Sequence, residues 1–380
     1  MYTLEEIKKA LEQDQFIFYY QPKISMLTGK ICGVEALIRW QKTPNQLISP
    51  DLFIPVAEET GFINSITCHM FDKLVIDLNI LNDIQDGMKV SLNVSPKDFE
   101  NTKFVDKLKK SLENKLFNPK NLELELTEAS RVSEHSLILE QFSLLEHLGV
   151  EVAMDDFGTG FSSIDLLSKI EFSAIKLDQG IVGRMGYSKK DKALVDASIR
   201  MGHRLGLDVI AEGIEDEESY RTLQKGGCTI AQGYWMSKPL PFSETISIIK
   251  AKKQWPATPS GLLYMAQLDH LRWRKDLVDG ALSIFDSENS NKLLNNCPPL
   301  DHKSCMLGKW YYSEAKCYES CKTFSDLEIP HQKFHQIGSQ IRDLVEQNGN
   351  KDEILKQVRV LNRYSAEVIL LLQEIEHELA

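Results

Sequence analysis

The stretch LELELT, residues 122–127, alternates leucine with glutamate, so its side chains divide into an apolar face and an acidic face. A period of two is typical of a β-strand with one face packed on a core. The chain holds eight such strand-length segments: FIFYY (from Phe16), ICGVEALIRW (Ile31), KVSLNV (Lys89), LELELT (Leu122), VEVAMD (Val150), AIKLD (Ala174), DVIAE (Asp208) and TIAQGY (Thr229). Amphipathic helical patterns separate most of them. Eight strand–helix units predict an α/β fold of the (β/α)8 barrel type, with its active site at the C-terminal strand ends.

The polar faces of these strands carry a consistent set of side chains. If the aliphatic faces pack on outer helices, the following residues point towards the mouth of the barrel: Asn93, Glu125, Asp155, Lys176 and Glu212, joined by Glu35 and Gln232. Several carboxylates around one cavity need compensating cations. Carboxylate and amide oxygens suit Mg²⁺ or Mn²⁺. The adjacent pair Asp155 and Asp156 could serve two metals, an arrangement used for in-line displacement at phosphorus.

Composition excludes several classes of protein. The net charge of -11 argues against duplex DNA or RNA as the main partner, since nucleic-acid surfaces are basic. The N-terminal segment MYTLEEIKKALEQDQ has no apolar signal region, and no apolar run has the length of a membrane span. Seven cysteines, an odd number, indicate a reducing environment without a disulfide framework. We therefore expect a cytoplasmic protein.

A second domain is predicted after the barrel. The stretch WPATPSG, residues 255–261, is typical of a linker, which places the barrel domain at 1–254 and a second domain at 262–380. Four helix-sized segments follow the linker and predict an all-α helical bundle. His331 and His335 are four residues apart, on one face of a helix, which is the spacing of a two-histidine metal clasp. Two unrelated surface histidines would show the same spacing.

The segment EALIRW, residues 35–40, resembles the signature of EAL-domain cyclic-di-GMP phosphodiesterases. The similarity continues in order through YYQPKIS, DLFIPVAEETGFI, LNVSPKDF, ELELTE, MDDFGTGFSS, IKLD, VIAEGIE and QGYWMSKPLP, over about residues 1–250. The resemblance implies a modified (β/α)8 TIM-type barrel. It also implies a metal-dependent hydrolysis of one phosphodiester bond of cyclic di-GMP, which gives linear pGpG.

The same resemblance implies roles for individual residues. Four match the ligands of one Mg²⁺ or Mn²⁺ ion: Glu35, Asn93, Glu125 and Asp155. Asp155 and Asp156 match the pair that holds a second ion. Lys176 matches the lysine that positions the attacking water, and Glu212 matches a glutamate that is either a metal ligand or a general base. Three residues match substrate contacts, and a fourth helps to order the site water: Gln21, Leu37 and Arg39, then Gln232. Glu128 matches the glutamate that anchors the Asp-Asp-Phe-Gly loop, a segment associated with dimers in this family.

The second domain resembles the chemoreceptor zinc-binding domain. The similarity covers about residues 262–380 and rests on HLRW, CMLGKW and HQKFH. It implies one Zn²⁺ ion held by a thiolate and three imidazoles: His270, Cys305, His331 and His335. We hypothesise that zinc, or oxidation of Cys305, changes the helical bundle and with it the activity or dimer geometry of the barrel. Cys317 and Cys321 lie one turn apart and are either a redox pair, a weak second site or simple thiols.

Three functions are compatible with these patterns. The first is a zinc-regulated, homodimeric cyclic-di-GMP phosphodiesterase. The second is a receptor that binds the dinucleotide without cutting it, and the complete set of ligand-type residues argues against it. The third is a scaffold whose helical tail docks on a chemotaxis or signalling complex. A barrel enzyme of other chemistry would need a different set of residues.

Overall fold

A computed structural model of the chain describes residues 2–127, 136–158, 163–283, 300–312, 315, 318, 321–347 and 349–379. Contacts between Cα atoms divide it into two compact units. The first comprises residues 1–223 and 228–257, and the second comprises residues 224–227 and 258–380. The boundaries given above from sequence stay predictions.

The first unit is built on a closed sheet. The described residues form ten strands: β1 Phe16–Ser25, β2 Ile31–Thr43, β3 Gln46–Ile48, β4 Lys89–Val94, β5 Leu122–Thr127, β6 Glu151–Phe157, β7 Ala174–Leu177, β8 Asp208–Ala211, β9 Ile230–Ala231 and β10 Leu240–Pro241. Neighbouring strands follow the order β1-β2-β4-β5-β6-β7-β8-β9, and β9 pairs with β1 to close the ring. The eight strands predicted from the sequence form this barrel, so the predicted fold is confirmed.

One strand departs from the regular barrel pattern. β1 runs antiparallel to both β2 and β9, whereas β2 and β4–β9 run parallel to one another. A short turn joins β1 to β2, and Gly29 in this turn has a φ of 66°. A Cβ atom at Gly29 would lie 2.2 Å from the carbonyl oxygen of Trp255, so the position requires glycine. The resemblance implied a modified barrel without saying how it is modified, and the structure shows that the first strand is reversed.

Helices cover the outside of the barrel. They are α1 Leu4–Glu12, α2 Ile54–Glu59, α3 Ile63–Ile84, α4 Lys103–Glu113, α5 Ser136–His147, α6 Ser163–Leu167, α7 Gln179–Arg184, α8 Lys189–Leu205, α9 Glu217–Lys225 and α10 Phe242–Lys250. The aliphatic strand faces join the main hydrophobic core, as Leu124, Val152 and Ile175 show. The opposite faces point into the barrel, where Ala153, Ala174 and Ile210 form a small separate cluster. Alternation along each strand therefore delivers the polar residues to the interior, as predicted.

The described secondary structure of the second unit consists of helices, with connecting segments between them. Its helices are α11 Ser260–Ser283, α12 Met306–Tyr312, α13 Lys322–Asp326, α14 Glu328–Glu346 and α15 Lys351–Leu379. Its core includes Trp273, Leu277, Phe334, Ile341 and Leu361, all with at most 5% of their surface exposed. The predicted all-α fold of this region is confirmed. Within the described residues of the chain, no helix is both long enough and apolar enough to span a membrane.

Candidate functional site

The predicted barrel residues meet at one end of the sheet. Glu35, Asn93, Glu125, Asp155 and Lys176 lie on five different strands, from β2 to β7. Glu212 and Gln232 each directly follow a strand, β8 and β9 respectively. A cavity of about 260 Å³ opens at this end, and eight of the residues selected from sequence line it: Gln21, Glu35, Leu37, Arg39, Asp155, Lys176, Glu212 and Gln232.

Lys176 lies at the centre of an acidic ring. Its Nζ lies 2.6 Å from Glu125, 2.7 Å from Glu212, 3.1 Å from Asp155 and 3.7 Å from Glu35. The side chain is only 1% exposed. Burial opposes its charged form, but the surrounding carboxylates outweigh burial and raise the pKa of Lys176 well above its usual value. The ammonium group is therefore a fixed positive charge inside the site.

The carboxylates of the ring differ in their protonation behaviour. Burial raises the pKa of Glu212 to about 8, even though Lys176 opposes the shift. Burial and the neighbouring Glu125 also raise the pKa of Glu35. Burial acts in the same direction on Glu125, but Lys176 and Lys23 outweigh it and lower the pKa of Glu125 to about 2. Glu125 is therefore ionised at neutral pH.

Amide side chains fix the orientation of Glu35. Asn93 Nδ2 donates to Glu35 Oε1 at 2.6 Å, and Gln232 Nε2 donates to Glu35 Oε2 at 2.5 Å. Gln232 Nε2 also contacts Gln21 Oε1 at 3.2 Å, and Gln21 Nε2 donates to the carbonyl of Ser237 at 3.1 Å. With both oxygens engaged, Glu35 has a defined orientation at the cavity wall.

A bulge in β6 explains how two adjacent aspartates reach one site. Regular alternation would place Asp156 on the face opposite Asp155. The pairing of β6 with β7 shifts register between Met154 and Phe157, and Asp156 adopts a left-handed φ of 54°. The carboxylate oxygens of Asp155, Asp156 and Glu212 consequently lie within 4.8 Å of one another. All of these donors are oxygens, so the set fits Mg²⁺ or Mn²⁺.

Three of the four predicted zinc ligands meet in the helical unit. The ligand atoms of Cys305, His331 and His335 lie within 4.8 Å of one another, and Cys305 Sγ lies 3.3 Å from His331 Nε2. His335 Nδ1 lies 3.2 Å from the carbonyl oxygen of Leu300, which leaves Nε2 for a metal. Burial lowers the pKa of His331 to about 3 and that of His335 to about 4, so both imidazoles are neutral. One sulfur and two neutral nitrogens fit a zinc ion.

His270, the fourth predicted ligand, lies beside this cluster. It is 5% exposed and lines the same small cavity as Cys305 and His335. Its Nε2 lies 3.1 Å from Ser365 Oγ, and its ring centroid is 4.0 Å from that of Phe334. The structure therefore places His270 in the wall of the site, with one nitrogen engaged by Ser365.

Some predicted residues fall elsewhere. Glu128 and Cys317 lie outside the described residues. Cys321 donates to Glu378 Oε2 at 2.9 Å. The described cysteines are free thiols: Cys32, Cys68, Cys228, Cys305 and Cys321.

Comparison with known families gives two matches. The family model described as "EAL domain" matches residues 4–239, and the model described as "Chemoreceptor zinc-binding domain" matches residues 270–342. The chain belongs to the EAL-domain family. The order of the two domains is the order that the sequence resemblance implied.

Proteins of similar sequence match about the same length of this chain as the EAL-domain model does. The Pseudomonas aeruginosa protein named bifunctional diguanylate cyclase/cyclic di-GMP phosphodiesterase MucR is 32% identical over 247 residues, which is 65% of this chain and 36% of MucR. Cyclic di-GMP phosphodiesterase PdeR of Escherichia coli is 34% identical over 235 residues, 62% of this chain and 35% of PdeR. The chain spans about a third of the length of such curated relatives.

A solved structure matches the EAL domain directly. The EAL enzyme Bd1971, in its cAMP- and cyclic-di-GMP-bound form, superposes with a TM-score of 0.62 at 30% identity. The match covers 65% of this chain and 68% of that chain. The barrel of this protein is thus an EAL barrel in fold as well as in sequence.

The structure adds EAL-domain residues that the sequence reasoning missed. Gln179, Glu215 and Tyr234 line the mouth cavity, and Lys23 lies below it in the barrel interior. Glu215 stands within the motif VIAEGIE and Tyr234 within QGYWMSKPLP, so the motifs themselves carried the signal. Lys23 stands within the motif YYQPKIS, but its burial was not predicted, because a lysine in a strand is ordinarily at the surface.

Proposed function

We propose that the EAL barrel hydrolyses one phosphodiester bond of cyclic di-GMP and releases linear pGpG. The observation that carries the proposal is the ring of carboxylates around Lys176 at the barrel mouth. The names of MucR and PdeR, which describe cyclic di-GMP phosphodiesterases, support the substrate. An intact ring favours catalysis over binding alone, because a receptor has no need for a buried lysine among four carboxylates.

The reaction is proposed to depend on two Mg²⁺ or Mn²⁺ ions. One is assigned to Glu35, Asn93, Glu125 and Asp155, and the other to Asp155 and Asp156. Glu212 has a carboxylate oxygen within 4.8 Å of those of both aspartates, which favours a ligand role over a general-base role. Such ions, when bound, supply activation of water at neutral pH and neutralisation of phosphoryl charge.

Side chains of the chain itself supply charge and orientation. Lys176 holds a positive charge beside the reacting phosphate, where it stabilises negative charge that develops on the phosphoryl oxygens. Arg39 lines the same cavity and suits a phosphate oxygen. Leu37 lines both this cavity and a neighbouring apolar cavity of about 310 Å³. A charged cavity beside an apolar one matches a ligand that joins phosphates to flat bases.

The test is hydrolysis of cyclic di-GMP by the full chain after metal removal and after addition of Mg²⁺ or Mn²⁺. The proposal expects pGpG only with added metal, and its loss in Asp156→Asn. Tight binding of cyclic di-GMP without any hydrolysis would instead establish the receptor function. Tyr187→Ala, at a position 95% exposed, serves as the matched control and should keep full turnover.

For the helical unit, we propose one structural or regulatory Zn²⁺ ion held by Cys305, His331, His335 and His270. Three clustered donor atoms support the site. Zinc content of the purified chain, measured by mass spectrometry, should be one ion per chain in the wild type and close to zero in His331→Ala. Zinc control of turnover, a homodimer, a signalling-complex partner and a cytoplasmic location stay predictions, to be measured by assays with and without zinc and by molecular mass in solution.

A further inference from the structure

Below the barrel mouth lies a second buried cation, Lys23 of β1. It is 3% exposed. Its Nζ donates to Ser91 Oγ at 2.5 Å, to Glu123 Oε1 at 2.7 Å and to Glu125 Oε1 at 2.6 Å. Three partners from β4 and β5 satisfy all three donors of the ammonium group.

Glu125 is shared between the two buried lysines. Its Oε1 accepts from Lys23 at 2.6 Å, and its Oε2 accepts from Lys176 at 2.6 Å. The carboxylate is fully buried. Because charge-assisted bonds hold each oxygen from opposite sides, the plane of the carboxylate is fixed. Of the two lysines, only Lys176 contacts Asp155 and Glu212 at the mouth.

Glu123 completes the charge balance of this lower layer. Its Oε1 accepts from Lys23 and, at 2.6 Å, from Ser91 Oγ. A buried charge needs a partner, and Glu123 supplies one for Lys23 that is independent of the mouth. The charge of Lys23 is therefore balanced by Glu123 as well as by Glu125.

We propose that Lys23 is a positioning residue that holds the Glu125 carboxylate in the orientation required for metal binding at the mouth. The inference rests on the proposed function, in which Glu125 is a ligand of the divalent ion. Outer contacts of this kind orient ligands, and their loss costs about 10- to 100-fold in metal affinity.

The test compares two variants of the full, zinc-loaded chain. Glu123→Gln leaves Lys23 bound to Glu125. Lys23→Met with Glu123→Gln removes that contact and keeps the net charge that Lys23, Glu123 and Glu125 together have in the wild type. Mn²⁺ affinity is measured by calorimetry without substrate. We expect Glu123→Gln to bind Mn²⁺ within about twofold of wild type, and the double variant to bind about 10-fold or more weakly.

A kinetic readout separates positioning from general damage. In the double variant, the Mn²⁺ concentration for half-maximal turnover should rise by the same factor, while the KM for cyclic di-GMP at saturating Mn²⁺ stays unchanged. Equal Mn²⁺ affinity in Glu123→Gln and in the double variant would overturn the proposal. So would a loss of turnover that added Mn²⁺ does not restore.

A second double variant, again compared with Glu123→Gln, tests the proposal if the first double variant does not fold. Lys23→Gln with Glu123→Gln keeps one neutral donor for Glu125, and should bind Mn²⁺ about threefold or more weakly than Glu123→Gln, since neutral bonds are about half as strong. Equal affinity overturns the inference here as well. If the wild type binds Mn²⁺ but does not hydrolyse cyclic di-GMP, the proposed function fails and the Lys23 comparison still stands.

Discussion

At the scale of single residues, charge compensation governs the barrel mouth. Lys176 contacts Glu125, Glu212 and Asp155 within 3.1 Å, in a position only 1% exposed. Divalent ions bound to the same carboxylates would be repelled by the positive charge of Lys176. The lysine is therefore expected to aid the reaction without aiding metal binding.

Replacing Lys176 with methionine separates these two effects. We expect turnover of cyclic di-GMP to fall by about 100-fold or more, because a charge aimed at the phosphoryl oxygens is lost. Mn²⁺ affinity should be unchanged or tighter. Steady-state kinetics at saturating Mn²⁺, which keeps the carboxylates compensated, measure turnover, and calorimetric titration of the metal-free protein with Mn²⁺ measures affinity. Turnover within tenfold of wild type would contradict the role given to Lys176.

Asp98 offers a pH test away from the metal ligands. It is fully buried, and Oδ2 accepts from the Ser95 amide and the Thr67 hydroxyl, each at 3.0 Å. Its Oδ1 has no hydrogen-bond partner among the described residues. Burial raises the pKa of Asp98 to about 6, against the opposing Ser95 bond. The folded state thus binds a proton that the unfolded state releases.

Stability is therefore lost as the pH rises towards the raised pKa of Asp98, and the loss levels off above it. Asp98→Asn lacks this titration, so its free energy of unfolding relative to wild type should rise by roughly 2 kcal/mol between about pH 4.5 and 6.5. Urea unfolding of both proteins across this range measures the difference. A difference that does not change with pH would show that Asp98 stays ionised.

At the scale of elements, helices α11 and α14 pack closely at Gly338, where a larger residue would meet Trp273. A Cβ atom at Gly338 of α14 would lie 2.4 Å from the indole ring of Trp273 on α11. Trp273 is 5% exposed and belongs to the helical core, so the ring has little room to move. Glycine in a helix ordinarily costs stability, and here the close contact explains its presence.

Gly338→Ala should destabilise the helical unit by about 1 to 2 kcal/mol, since overpacking of about 1 to 3 kcal/mol exceeds the gain in helix propensity. Gln340→Ala, on an exposed position of the same helix, is the matched control and should change stability by less than about 0.5 kcal/mol. Thermal unfolding followed by circular dichroism compares them. Equal stability of the two variants would rule out the packing argument.

At the scale of the whole molecule, each compact unit has its own hydrophobic core. The proposed zinc ligands come from α11 (His270), from α14 (His331 and His335) and from Cys305 ahead of α12, so a bound ion would link segments that are distant in sequence. Binding to the folded state alone stabilises it by mass action.

Removal of zinc with a chelator should therefore lower the Tm of the helical unit and leave that of the barrel in place. Zinc at 1,000 times its Kd would contribute about 4 kcal/mol. Scanning calorimetry of the zinc-loaded and stripped chains measures the shift, and His335→Ala should show none. A shift confined to the barrel transition would contradict the assignment of the zinc site.

By itself, the sequence determined the eight barrel strands, the helical second region and eight of the residues that line the barrel mouth. It could do so because strand alternation is local. Leu122, Leu124 and Leu126 define one face of β5, and Glu123 and Glu125 must then lie on the other. Only the tertiary structure decided three further features. Asp156 reaches the site through a bulge that breaks alternation. Lys23 lies inside because β1 closes the ring between β2 and β9, and His270 meets Ser365 of α15. Each depends on contacts between distant segments, which no local pattern of residues records.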